Sequence, residues 1–253
     1  MIKSIFKIMV YSLLSVICCS SAQAVAIDSL HSDTTRIKQP KQPVSWSLTG
    51  QVYSASLYFF TGSVDQSDPS FDALFIYDRK TWGGFIYESV DLINRNTGIN
   101  YGMIGLHKYF KVGEKLLITP NLGVNLNQNY SVADKGSDFI FDLAVTYKFN
   151  KHFTISNDAF FQNLIITKDY NWTNRVKLTF RETDFYISAL MWDRNRVFHN
   201  PGYLSAGLDF RYNVIKLSPK ANLIAGASNI HVLQSDTPRR NGFMFSLGID
   251  FGG

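Results

Sequence analysis

From Trp46 onward, apolar and polar residues alternate with a period of two. Phe139, Phe141, Leu143, Val145, Tyr147 and Phe149 fall on one face, against Asp142, Ala144, Thr146 and Lys148 on the other. The same division recurs with Leu204, Ala206, Leu208, Phe210 and Tyr212 against Ser205, Gly207, Asp209 and Arg211. It recurs again with Phe243, Phe245, Leu247, Ile249 and Phe251 against Ser246, Gly248 and Asp250. Wound on a helix, these faces would smear around the axis. As strands they give one apolar face and one face of polar and small residues.

The pattern predicts strands over 46–60, 70–78, 82–92, 99–110, 115–128, 139–149, 152–164, 174–182, 184–193, 203–214, 217–229 and 241–251. Short joints alternate with long ones. Arg79-Lys80-Thr81, Asn150-Lys151, Thr183 and Ile215-Lys216 are short, whereas the connections after Thr61, Asn129, Ile165, Arg194 and Ile230 are long. That asymmetry, with aromatics such as Tyr77, Trp82, Tyr109, Phe110, Phe153, Phe185, Tyr212 and Phe251 at the short-turn ends, belongs to a barrel in a lipid bilayer. Hydrocarbon tolerates no open sheet edge, so such a sheet must close. A soluble β-sandwich would need polar outward residues on about half of the strand positions, and fewer aromatics at the rim. Pro120 and Pro219 fall inside predicted strands, where a missing N–H interrupts the ladder, and Leu74 to Tyr77 are apolar on both faces. The fold class expected is therefore all-β, a transmembrane antiparallel up-and-down β-barrel of about 12 strands over residues 46–253.

The segment before the barrel reads as an address. Lys3 and Lys7 precede the apolar run from Ile8 to Cys19, and Ala22-Gln23-Ala24 supplies the small residues that a signal peptidase reads. Residues 1–24 are expected to be a signal peptide and 25–45, with Pro40 and Pro43, a flexible periplasmic lead-in. Both cysteines lie in the leader, so the exported chain carries no disulfide, no thiolate nucleophile and no cysteine-based metal site.

Composition narrows the function classes further. Charged residues make up 18% of the chain, below the roughly 25% of soluble proteins, and aromatics 15%. The formal charge of +5 includes the two leader lysines, and no dense basic run occurs, which excludes a nucleic-acid partner.

Taken together, the leader, the alternating strands, the loop asymmetry and the final strand from Phe243 to Phe251 resemble the bacterial outer-membrane β-barrel class. At about twelve strands the chain is similar to nucleoside-specific channels, acidic-oligosaccharide porins, outer-membrane phospholipases and lipid A deacylases. Tyr77 to Phe85 resembles a strand–turn–strand of the nucleoside channels, without carrying over any binding residue. The resemblance implies the outer membrane of a Gram-negative bacterium and contact with its lipids and lipopolysaccharide. It also implies recognition of the last strand by the barrel-assembly machinery. An even strand count returns both termini to the periplasmic side.

The inward set carries the candidate chemistry. Asp142, Lys148, Asp158, Arg175, Lys177, Arg181, Asp209, Arg211, Lys220 and Asp250 are interleaved with Ser, Thr, Asn and Gly. Such a wall can select small hydrophilic solutes through a transverse field, or it can fill a plugged barrel with salt bridges. From Arg175 to Lys220 the wall leans basic, which predicts a weak preference for anions. No metal or other cofactor is expected, since no His/Asp/Glu spacing matches a site. A lipid hydrolase would need a Ser–His pair, and His199 or His231 near Ser205 or Ser228, with Asp193 or Asp236, are its candidates. The sequence thus supports a small channel or binding barrel first, then a lipid-acting hydrolase, then a structural or surface-interaction barrel.

Overall fold

The computed structural model describes residues 44–58, 62–66, 68–93, 101–126, 138–165, 171–195 and 202–252. The leader, most of the lead-in, His199 and much of the long loops lie outside them.

The described strands are β1 (Ser45–Tyr53), β2 (Ser56–Tyr58), β3 (Ser63–Gln66), β4 (Ser70–Arg79), β5 (Trp82–Asp91), β6 (Tyr101–Lys108) and β7 (Phe110–Val112). They continue with β8 (Leu116–Leu126), β9 (Asp138–Lys148), β10 (Phe153–Gln162), β11 (Asn171–Arg181) and β12 (Phe185–Asn195). The last three are β13 (Tyr203–Ser218), β14 (Ala221–Ser235) and β15 (Gly242–Gly252). Neighbours in sequence pair antiparallel, β15 returns to β1, and β6 pairs with β8, so the sheet closes on itself. With β7 as a continuation of β6 and β2–β3 as a separate hairpin, the wall is a closed barrel of twelve strands.

Register and burial agree on which face is which. Leu48, Val52, Ile86, Ile104, Leu122, Leu178, Leu208, Phe245 and Leu247 are exposed on the outside. An apolar exterior of this extent is stable only against an apolar surrounding. At the short-turn end the outward rings form a belt: Phe153 to Phe180 at 4.9 Å, then Phe180 to Phe185 and Phe185 to Phe210 at 6.1 Å each. Lys108 stands over Trp82 and Phe110, with Nζ 4.6 and 4.8 Å from the ring centres. Tyr109 departs from the expected rim set, because its hydroxyl donates inward to Asp78 at 3.1 Å.

Three expectations for the strands are corrected. The first strand stops at Tyr53 rather than at residue 60, after which Ser54 still pairs with Phe245 and Ser56–Tyr58 pairs with Ser63–Gln66 as the separate β2–β3 sheet. The turn expected at Ile215-Lys216 lies at Pro219-Lys220, because register shifts between Asn213 and Ile215 and between Lys216 and Ser218 break the period and carry β13 on to Ser218. Pro219 therefore sits in a turn, where its fixed φ suits the chain reversal. Pro120 is within β8, opposite the break at Tyr109 that separates β6 from β7. There the pairing passes from His107↔Asn121 to Phe110↔Ile118 and skips Thr119 and Pro120.

Candidate functional site: the inner wall of the barrel

Sequence alternation sends every second residue inward, and several contacts prove that direction by spanning strands they do not adjoin. Arg211 on β13 donates to Gln51 on β1 and, at 3.1 Å, to Ser246 Oγ on β15, passing over β14. Its Nε donates to Asp209 Oδ1 at 3.0 Å, and its guanidinium lies 5.6 Å from the Tyr53 ring centre. The Ser228 hydroxyl donates to the same Asp209 oxygen at 2.6 Å. Gly226 makes this crossing possible. A Cβ there would stand 2.6 Å from Ser246 Oγ and 2.7 Å from Arg211 Cδ.

A second crossing lies near the short-turn end. His107 on β6 lies 2.6 Å from Asp78 Oδ1 on β4, passing over Gly83 of β5, where any Cβ would overlap both groups. His107 is buried, not the exposed interfacial residue its position near the rim suggests.

The other sequence candidates fall as follows. Asp158 accepts from Arg175 Nε and Nη2, both at 2.9 Å, and the Arg175 guanidinium stacks over Phe160 at 5.2 Å. Lys177 and Arg181 follow Arg175 on the inward side of β11 and share the Tyr186 ring, at 5.8 and 5.5 Å. Asp250 accepts from Thr49 Oγ1 at 2.8 Å, across the β15–β1 junction. Asp142 accepts from Asn121 Nδ2 at 2.7 Å. Lys148 ends β9 beside Thr154 at the short-turn rim. Lys220 is corrected from an inner-wall residue to an exposed turn residue, because the turn that ends β13 lies further on than the alternation predicts.

The serines weighed as nucleophiles are committed elsewhere. Ser205 is fully buried and donates to the Gly62 carbonyl at 2.9 Å, and Ser228 serves Asp209. His231 stands three positions after Ser228 on β14 and is exposed on the opposite, outer face.

Sequence reasoning missed the apolar part of the interior. Tyr87, Met103, Ile140 and Phe160, with Leu74 and Phe85, form one inward cluster; Leu190, Trp192, Ile230 and Met244, with Tyr53, form another. Gly62 packs against the Trp192 indole, so part of the first long connection folds inside the barrel. The signal was present in Leu74 to Tyr77, apolar on both faces: Leu74 and Ile76 line an internal cavity, while Tyr77 is exposed outside. That cavity, of about 240 Å3, runs along β4 to β10 and also takes in His107, Tyr109, Asn121, Asp142 and Gln162.

Charges of both signs are spread around the ring. Asp72, held by Tyr87 Oη at 2.7 Å and Ser89 Oγ at 2.6 Å, shares the β4–β9 side with Asp78 and Asp142. Arg175, Lys177 and Arg181 stand on β11, six strands around the ring from β4 and so diametrically opposite it.

No family model and no curated protein sequence matches this chain. Solved structures do. The KdgM porin aligns with a TM-score of 0.57 at 8% identity, over 81% of this chain and 98% of the porin. A structure described as the KdgM porin in complex with disordered oligogalacturonate gives 0.54 at 8% identity, over 82% and 98%. The NanC porin gives 0.53 at 8% identity, over 81% and 98%. The chain has the barrel fold of these porins.

Proposed function

We propose that the protein is an outer-membrane channel, or a binding barrel, for small hydrophilic solutes, with the inward charges as its selecting groups. The observation that carries this reading is the inner wall itself. In a closed barrel with an apolar exterior, charged groups of both signs face inward, with Lys177 and Arg181 on β11 across the lumen from Asp72 and Asp78 on β4. Lys177 and Arg181 contribute cationic groups opposite the acidic β4 side, whereas Arg175 and Arg211 are matched by Asp158 and Asp209. A lumen of this kind holds a transverse field in a low-dielectric constriction, which attracts dipolar solutes and leans toward anions. The porin fold supports the placement in a Gram-negative outer membrane, with lipids and lipopolysaccharide around the barrel. It also supports both termini on the short-turn, periplasmic side and the last strand as the assembly signal. The oligogalacturonate complex of the KdgM porin supports passage of polar, acidic solutes.

The test is purified protein in a planar bilayer, followed by a panel of sugars, sugar acids and amino acids in swelling vesicles. Discrete conductance steps and size-dependent uptake are expected. A silent bilayer with no uptake overturns passage and leaves a binding barrel.

A further inference from the structure

The internal cavity holds one group that the network of interior bonds leaves unused. Asp142 Oδ2 accepts from Asn121, but Asp142 Oδ1 is buried without any hydrogen-bond partner. A buried acceptor with no donor is costly, and a ligand that brings a donor recovers that cost. The surroundings define what kind of donor. Phe85, Tyr87, Met103, Ile140 and Phe160 supply apolar and aromatic walls, and the volume suits a ring-sized body. Arg175, whose guanidinium stacks on Phe160, gives two of its donors to Asp158. Two carboxylates, Asp142 and Asp158, thus stand beside one guanidinium on this wall. Aromatic faces beside a carboxylate with an unused oxygen attract cations through the ring quadrupole as well as through the charge.

We propose that this cavity is a binding subsite for a small organic cation, a primary amine on an apolar or aromatic body, whose ammonium donates to Asp142 Oδ1. The subsite adds a solute class to the channel reading and rests on that reading only for access to the lumen. In a channel with cationic groups on β11, it provides an acidic, apolar bay beside them.

The experiment is calorimetric titration of the full-length barrel in detergent with phenethylamine, phenethyl alcohol and phenylacetate, which share one body and differ in the head group. Saturable binding of phenethylamine at least tenfold tighter than either analogue is expected. Asp142→Asn keeps the shape and removes the charge, so it should weaken phenethylamine binding by about tenfold or more while leaving phenethyl alcohol within about twofold. Equal binding of the amine and the alcohol, tighter binding of phenylacetate, or no shift in the variant overturns the proposal. Should the variant fail to assemble, the three-ligand comparison on the parent decides alone. A barrel that binds the amine yet is silent in a bilayer keeps the subsite and loses the channel. A conducting barrel that ignores the amine does the reverse.

Discussion

Arg211 joins three strands from inside the lumen, and replacing it tests whether that junction stabilises the barrel. Arg211→Met keeps an unbranched apolar stem and removes the guanidinium. The charge-assisted bond to Asp209 at 3.0 Å goes, together with the donations to Gln51 and Ser246. The side chains of Arg211 and Asp209 are 12% and 9% exposed, so Asp209 is left as a nearly buried carboxylate with only the Ser228 hydroxyl. Breaking a buried pair by removing one partner costs about 3–5 kcal/mol, and water entering the lumen favours the low end of that range. The expected loss is about 3 kcal/mol, roughly a hundredfold or more in the unfolding equilibrium. Urea titration of the detergent-folded barrel, read from folded and unfolded bands on unboiled gels, measures it. The double variant Arg211→Met with Asp209→Asn removes the stranded charge while its amide oxygen still accepts from Ser228. It should recover to within about 1 kcal/mol of the parent. A single variant that loses less than about 1 kcal/mol, or a double variant no more stable than the single one, refutes the reasoning.

Other perturbations address the faces and the field. Leu247→Arg puts a charge on the outer face and should cost about 2–4 kcal/mol near mid-membrane. Thr146→Arg, on the inward face of β9, should assemble normally, and equal failure of the two would refute the register. Ser205 and Ser246 are poor controls for such a comparison, because both are buried and bonded. Lys177→Glu should shift the reversal potential across a salt gradient toward cations, an effect that fades at high salt; an unchanged potential would leave the basic ladder without influence on permeation. Gly226→Val should break the Arg211 crossing and lower the urea midpoint about as far as Arg211→Met does, whereas a parent-like midpoint would show the crossing to be dispensable. After cell fractionation the mature chain should sediment with the outer membrane and migrate faster unboiled than boiled; recovery in the soluble periplasm would contradict the proposed location.

Strand existence and facing were legible because they depend on a period-two pattern that burial on one side enforces residue by residue. Phe139 to Phe149 and Phe243 to Phe251 show this well. The strands that deviate are those where a local device breaks the period. The register shifts in β13 move its turn to Pro219-Lys220, and the bend after Tyr53 diverts the chain into the β2–β3 hairpin. In the interior, the charges could be read from the pattern but their partners could not. Asp158 with Arg175 joins adjacent strands, whereas Arg211 with Gln51 and Asp78 with His107 join positions that only ring closure and an intervening glycine bring together. The apolar bay was hidden for a related reason. An inward leucine and an outward leucine look alike in sequence, and alternation alone assigns apolar residues to the outside.

The interruption at Tyr109 also acts as a depth gauge. Opposite it, Thr119 and Pro120 lack ladder partners on β6 and β7, and Pro120 has no N–H to offer. An interrupted ladder suits the rim of the cylinder, where water reaches the wall, and here the Thr119 carbonyl accepts from the Asn121 side chain at 3.1 Å. Lys108 above the Trp82 and Phe110 rings marks the same height, as expected for groups anchored among lipid head groups. Measured upward from there, the apolar exterior of β5, β6 and β8 sets the thickness of bilayer that this cylinder fits. The slab boundary is thus written into the chain by a break in the ladder as well as by its aromatic residues.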